Sequence, residues 1–124
     1  MSATILIVDN YKLMRQALRE WLRVEFPGCH VIEAANGEEA VTLAQVNLPH
    51  LVIMDIGLPG MNGLQATNCL KAILPTLPVV LLTLYGDDET TSQNYKAETG
   101  ASACVPKIRV LSELQPTLAA LLPV

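Results

Sequence analysis

The 124-residue chain is 51% hydrophobic, enough for one buried core and too short for two ordinary domains. Eight Lys and Arg against twelve Asp and Glu leave a net charge of −4 with no basic block, which argues against direct nucleic-acid binding along a phosphate backbone. Cys29, Cys69 and Cys104 are odd in number and lack metal-ligand spacing, and no apolar run approaches the roughly 20 residues of a spanning helix, so a disulfide framework, a zinc site and membrane contact are all disfavoured and a cytoplasmic location is expected.

The first apolar run, Thr4–Val8, reads as a buried strand. Met14, Ala17, Leu18, Trp21 and Leu22 follow at the i, i+3, i+4, i+7, i+8 spacing of an amphipathic helix, with Arg15, Arg19, Glu20 and Arg23 elsewhere around it. A second strand, His30–Ala34, leads to Asn36-Gly37-Glu38-Glu39, where Asn36 is placed to cap a helix and Glu39 to reach back; Ala40, Leu43 and Ala44 form its inner face. Pro49 closes that segment. A third strand over 51–54 precedes a helix over 64–74 that Pro75 ends, and Pro78 opens a fourth strand, Val79–Thr83.

The stretch 87–99 has acids at its start, Gly100 at its end and almost nothing apolar beyond Tyr95 and Ala97, which predicts a weakly held helix. After a fifth strand over 101–105, Ser112 and Gln115 predict a capping box, with Pro116 in the first helical turn. Strict strand–helix alternation over five cycles predicts a doubly wound α/β fold: one parallel sheet with helices on both faces. Residues 1–124 are read as one domain, with no internal repeat and no linker.

In such a sheet, ligands bind outside the carboxyl ends of the strands. The polar residues there are Asp9 and Asn10 after strand one, Asp55 after strand three, Thr83 closing strand four and Lys107 past strand five. Each alone has a bland reading, as a helix cap, a turn residue or a surface charge. Together they make a site. Asp55 ends a buried strand and is followed by the loop Gly57-Leu58-Pro59-Gly60, a carboxylate placed to act as a nucleophile toward phosphorus if cations offset the charge. Lys107 is one such cation. Mg²⁺, held by Asp9, Asp55 and the backbone carbonyl of Gly57, is the other. The Thr83 hydroxyl, one strand over, is placed to bond a phosphoryl oxygen and draw the loop 84–88 inward.

These motifs resemble the receiver domain of two-component response regulators over essentially the whole chain. The resemblance is carried by Ile5-Leu6-Ile7-Val8-Asp9, by Glu33-Ala34-Ala35-Asn36-Gly37-Glu38-Glu39-Ala40, by Met54-Asp55-Ile56-Gly57-Leu58-Pro59-Gly60-Met61-Asn62-Gly63 and by Leu81-Leu82-Thr83. Gly100-Ala101-Ser102-Ala103-Cys104-Val105-Pro106-Lys107 is similar to receivers of LuxR/NarL-type regulators. The resemblance implies a flavodoxin-like (CheY-like) fold of five strands in the order 2-1-3-4-5 with five helices. It implies Asp55 as phosphoacceptor, Asp9 as a metal ligand partly through water, Thr83 as switch hydroxyl and Lys107 as partner of the carboxylate or phosphoryl group. It also implies a sensor histidine kinase as phosphodonor, a C-terminal DNA-binding output domain outside this chain and a regulator of transcription that is not an enzyme; homodimerisation is left open.

Three departures matter. Asn10 stands where the family usually has a second Asp that ligates Mg²⁺, so metal binding is expected to weaken. Cys104 stands where many receivers carry a Tyr or Phe that moves with the threonine; it is read as a small buried residue, with Tyr85 as a candidate substitute. Leu84, where the family often has a smaller residue, is placed to restrict access to Asp55. These departures motivate the alternative of a degenerate receiver, a phosphorylation-independent binding or dimerisation module. An aspartate-nucleophile phosphatase is disfavoured because Gly57 stands where it would need an Asp, and a flavodoxin because Asp9-Asn10-Tyr11-Lys12 is no phosphate loop. Trp21 is read as core, His30 and His50 as strand-entrance residues and Tyr11 as surface.

Overall fold

The computed structural model describes residues 2–84 and 89–123. The five strands are β1 (Thr4–Val8), β2 (His30–Ala34), β3 (Leu51–Asp55), β4 (Val79–Thr83) and β5 (Ala103–Pro106). The helices are α1 (Lys12–Glu25), α2 (Gly37–Asn47), α3 (Gly63–Ile73), α4 (Glu89–Thr99) and α5 (Val110–Leu121), the last preceded by a 3₁₀ turn, Lys107–Arg109. All strand pairs are parallel, in the order β2-β1-β3-β4-β5. The expected fold and strand order are therefore observed.

Strand alternation divides the core into two layers, because successive side chains point to opposite faces of the sheet. Leu6, Val8, Val52, Met54 and Leu81 meet Ala40 and Ala44 of α2 and Ala66 and Leu70 of α3 on one face. Ile5, Ile7, Ile53, Val80, Leu82 and Val105 meet Leu18 and Leu22 of α1 and Leu114 and Leu118 of α5 on the other. Burial on both faces explains why β3 and β4 read as continuous apolar runs rather than alternating ones. Trp21 packs against the second layer, edge-on to Phe26, as a core residue. His50 is structural: its Nδ1 accepts the Thr4 backbone N–H at 3.0 Å at the entrance to β1, while His30 is exposed at the start of β2.

The caps differ from expectation in two places. Asn36 caps α2 by accepting the Glu39 backbone N–H at 2.8 Å, but Glu39 makes no return bond and its side chain lies exposed, where water solvates a carboxylate well. The reciprocal capping box forms instead at α3, between Asn62 and Gln65. Helix α5 starts at Val110, not Ser112, so Ser112 donates back to the Arg109 carbonyl and Pro116 lies inside the helix. Val110, Leu114 and Leu118, at four-residue spacing, all pack on the same core layer, and that burial draws the helix start upstream of the polar cap signal.

Helix α4 has only Thr99 buried, with Tyr95 partly packed on the core, and ends at Gly100 in the left-handed region (φ 75°), as the sequence predicts. The acids Asp87 and Asp88 expected at its start, and Tyr85, lie outside the described residues.

Candidate functional site

Parallel register brings the carboxyl ends of the strands to one edge: Asp55 pairs with Leu82 on β4, and Thr83 pairs with Pro106 on β5. Asp9 follows β1, and Lys107 follows β5 directly. The first consequence is burial. Asp9 is 1% exposed, Thr83 3% and Asp55 4%, so these polar groups sit in the apolar end of the core rather than on a solvated rim. Burying two carboxylates side by side is unfavourable without a cation.

Lys107 supplies that cation. Its Nζ lies 3.2 Å from Asp55 Oδ1 and 3.5 Å from Asp9 Oδ2, bridging both carboxylates. Backbone donors fix the orientation of each acid: Tyr11 N–H donates to Asp9 Oδ1 at 2.8 Å, and Gly57 N–H to Asp55 Oδ1 at 3.2 Å. Burial raises the pKa of Asp9, and the neighbouring Asp55 charge adds to the rise; the Tyr11 N–H and Lys107 act in the opposite direction. Protein groups thus compensate the two buried acids only in part.

Two side-chain oxygens show the same thing. Asp9 Oδ2 and Asn10 Oδ1 are both buried without a hydrogen-bond partner. Buried oxygens of this kind are normally paired, and a bound cation satisfies them as well as a donor does. The donors are all oxygen, which suits a hard ion such as Mg²⁺. Among the described residues no group of three His, Cys, Asp or Glu is placed to hold a metal, because the third side chain here is the neutral Asn10.

Tyr11, Asp55, Ile56, Gly57, Thr83, Leu84, Tyr95 and Lys107 line a cleft of about 160 Å³ over the acid. A cleft of that size admits a phosphoryl-sized group and is smaller than the roughly 300–1,000 Å³ of a drug-sized ligand site. A larger cavity of about 380 Å³ lies beside Ala3, Phe26 and Cys29, by the amino end of the sheet, but among the described residues its only charged lining residue is Glu25. Chemistry, not size, therefore singles out the Asp55 cleft.

The backbone around Asp55 is fixed from behind by α3. Gly63 N–H donates to the Ile56 carbonyl at 2.9 Å, and a Cβ at Gly63 would lie 2.2 Å from the Asp55 carbonyl oxygen. Only glycine permits that approach.

The sequence-predicted residues Asp9, Asp55 and Lys107 are in direct contact, and Thr83 and Gly57 line the same cleft as Asp55. Tyr11, expected at the surface, is 66% exposed yet borders the cleft, as does Leu84 at 71%. Cys104 is half-buried beside Ser92 and Lys96; burial raises its thiol pKa despite those neighbours, which fits a packing residue rather than a reactive thiolate. Tyr95 of α4, noted in the sequence only for its apolarity, brings a second aromatic ring to the cleft beside Tyr11. Arg15 and Glu33 were also missed: Arg15 Nη1 donates to the Asp9 carbonyl at 2.6 Å while its Nε donates to Glu33 Oε1 at 2.9 Å.

Fold and site together define a doubly wound α/β domain with a compact carboxylate–lysine centre at the carboxyl edge of its sheet. The chain matches the response regulator receiver domain family over residues 5–119 and belongs to it. It is 43% identical over 100 residues to the transcriptional activator protein ExaE of Pseudomonas putida, which covers 81% of this chain and 45% of that protein. The response regulator protein TrrA from Thermotoga maritima, solved in complex with Mg²⁺-BeF, superposes with a TM-score of 0.84 at 30% identity, covering 97% of this chain and 99% of that one. A LuxR-family two-component response regulator from Aurantimonas sp. SI85-9A1 gives 0.81 at 26% identity, covering 100% and 90%. The LuxR/NarL-type resemblance is borne out by such relatives. The chain spans about half the length of the curated regulators it matches.

Proposed function

We propose that residues 1–124 form a phosphorylation switch in which Asp55 accepts a phosphoryl group from the phosphohistidine of a sensor kinase. An Asp55 carboxylate oxygen forms the new bond to phosphorus as the phosphorus–nitrogen bond to the histidine breaks, and the departing imidazole takes up a proton. The observation that carries this reading is the bridge from Lys107 Nζ to Asp55 Oδ1 and Asp9 Oδ2, because a lysine held at 3.2 Å from the acceptor can follow the charge onto a phosphoryl oxygen. Asp9, Asn10, Asp55 and the Gly57 carbonyl are the groups that would hold Mg²⁺. When bound, that ion supplies further neutralisation of the phosphoryl oxygens.

Thr83 closes β4 at the same cleft, and its hydroxyl is the group that reads the new charge. The weakly anchored α4 beyond it transmits the change to the α4–β5 face. The output is transcription, through a DNA-binding domain outside this chain, in the cytoplasm; the domain turns over no external product and works as a regulator rather than an enzyme. That ExaE is named a transcriptional activator and that TrrA is held with Mg²⁺-BeF support the reading.

One observation favours a second reading. Asn10 removes a carboxylate from the metal site, and a receiver that binds Mg²⁺ too weakly would act as a phosphorylation-independent binding or dimerisation module. Amide spectra with Mg²⁺ and beryllofluoride, recorded for wild type, Asp55→Ala and Asn10→Asp, separate the two. The switch predicts wild-type shifts spreading from Thr83 toward Cys104 that Asp55→Ala abolishes. An inert wild type beside a responsive Asn10→Asp would establish the second reading.

A further inference from the structure

The Arg15–Glu33 pair lies outside the acidic cluster yet touches it at one point. Arg15 is on α1 and Glu33 on β2, where it pairs in register with Ile7 of β1, two residues before Asp9. The Arg15 guanidinium is largely buried, with its side chain 15% exposed, and spends two separate donors there: Nη1 on the Asp9 carbonyl at 2.6 Å and Nε on Glu33 Oε1 at 2.9 Å. Arg19 holds the other Glu33 oxygen at 2.7–2.8 Å, so the carboxylate that anchors Arg15 is itself fixed from two sides.

The Asp9 carbonyl belongs to the peptide plane that joins Asp9 to Asn10, each of which has one buried side-chain oxygen without a hydrogen-bond partner, Asp9 Oδ2 (ion-paired to Lys107 at 3.5 Å) and Asn10 Oδ1. The Asp9 N–H, on the other side, donates to the Ala34 carbonyl at 3.1 Å, also on β2. Both ends of the Asp9 backbone are thus pinned, and the carbonyl end is pinned by a side chain.

We infer that Arg15, clamped by Glu33, is a positioning residue for the cation site: it fixes the Asp9–Asn10 peptide so that both buried side-chain oxygens face one ion. This rests on the reading of Asp9 and Asn10 as Mg²⁺ ligands. Rigid placement lowers the cost of ordering ligands around the ion, which offsets part of what the neutral Asn10 ligand loses. The inference has a sign that simple electrostatics opposes. Arg15 carries a positive charge, so as a mere charge it repels the cation and its removal tightens binding. As a positioning group its removal loosens binding, as loss of an outer partner of a metal ligand commonly does by 10-fold or more.

The test is a Mg²⁺ titration followed by amide shifts in wild type, Arg15→Met, Arg15→Lys and Glu33→Gln, with thermal melts confirming that each variant is folded. Arg15→Met is expected to weaken Mg²⁺ binding about 10-fold. Arg15→Lys keeps the charge but has one nitrogen for two acceptors, and is expected not to rescue it. Glu33→Gln keeps the guanidinium and loosens its anchor, and is expected to weaken binding by a smaller factor; because it also removes an anion, the charge-conserving Arg15→Lys decides the matter if Arg15→Met does not fold. Unchanged or tighter binding in these variants, or full rescue by Arg15→Lys, would overturn the inference while leaving the switch reading intact. No binding by wild type at millimolar Mg²⁺ would overturn both.

Discussion

Glu33 is held from two sides, its Oε1 by Arg15 and its Oε2 by Arg19. Burial opposes its ionisation, but hydrogen bonds from Arg19 and Arg15 outweigh it and lower its pKa below the ordinary 4.5. A lowered carboxylate pKa contributes stability that is present above the ordinary value and lost as pH falls through the folded one. The melting-temperature advantage of wild type over Glu33→Gln is therefore expected at neutral pH and to vanish in acid below that window; with Glu33 and Arg19 partly exposed it is worth up to about 1 kcal/mol. Neither Arg15 nor Glu33 was legible as part of the site: their meeting depends on how α1 leans over β2, which residue spacing does not encode. Asp9, Asp55, Thr83 and Lys107 were legible as neighbours because each is a polar residue ending or following an apolar strand, and parallel topology brings all such ends to one edge. Gly63 gives a second test at this scale. A Cβ there meets the Asp55 backbone at 2.2 Å, so Gly63→Ala is expected to destabilise by about 1–3 kcal/mol in a urea melt, or to push Asp55 out of place.

Among the elements, the strands and the inner helical faces followed the hydrophobic pattern closely, and the caps followed it least. Side-chain capping is worth about 1 kcal/mol, and burying one Leu or Val is worth more, so α5 begins where Val110, Leu114 and Leu118 line up rather than at Ser112. Pro116 then sits inside α5, unable to donate to the Ser112 carbonyl four residues back. Pro116→Ala is expected to raise stability by about 1–3 kcal/mol by restoring that bond, and a lower melting temperature in the variant would contradict this placement. Helix α4 agreed with its reading: few apolar residues, one buried side chain and a glycine stop. Its amides over Glu89–Thr99 are expected to exchange with solvent well ahead of those in β1 and β3, whose residues are buried on both faces.

For the whole molecule, the sheet order places the acidic edge between two core layers, so in the proposed switch charge arriving at Asp55 acts on residues anchored to both. Lys107 follows the last strand and Thr83 ends the neighbouring one, so in the proposed switch the β4–β5 side is the route by which local electrostatics reaches the loosely held α4. The central claim is that Asp55 is the phosphoryl acceptor despite Asn10. Intact mass after incubation with Mg²⁺ and a small phosphodonor such as acetyl phosphate tests it most directly. The account predicts one added phosphoryl group on wild type and none on Asp55→Ala. A wild type that gains no mass, or an adduct that survives Asp55→Ala, would contradict it.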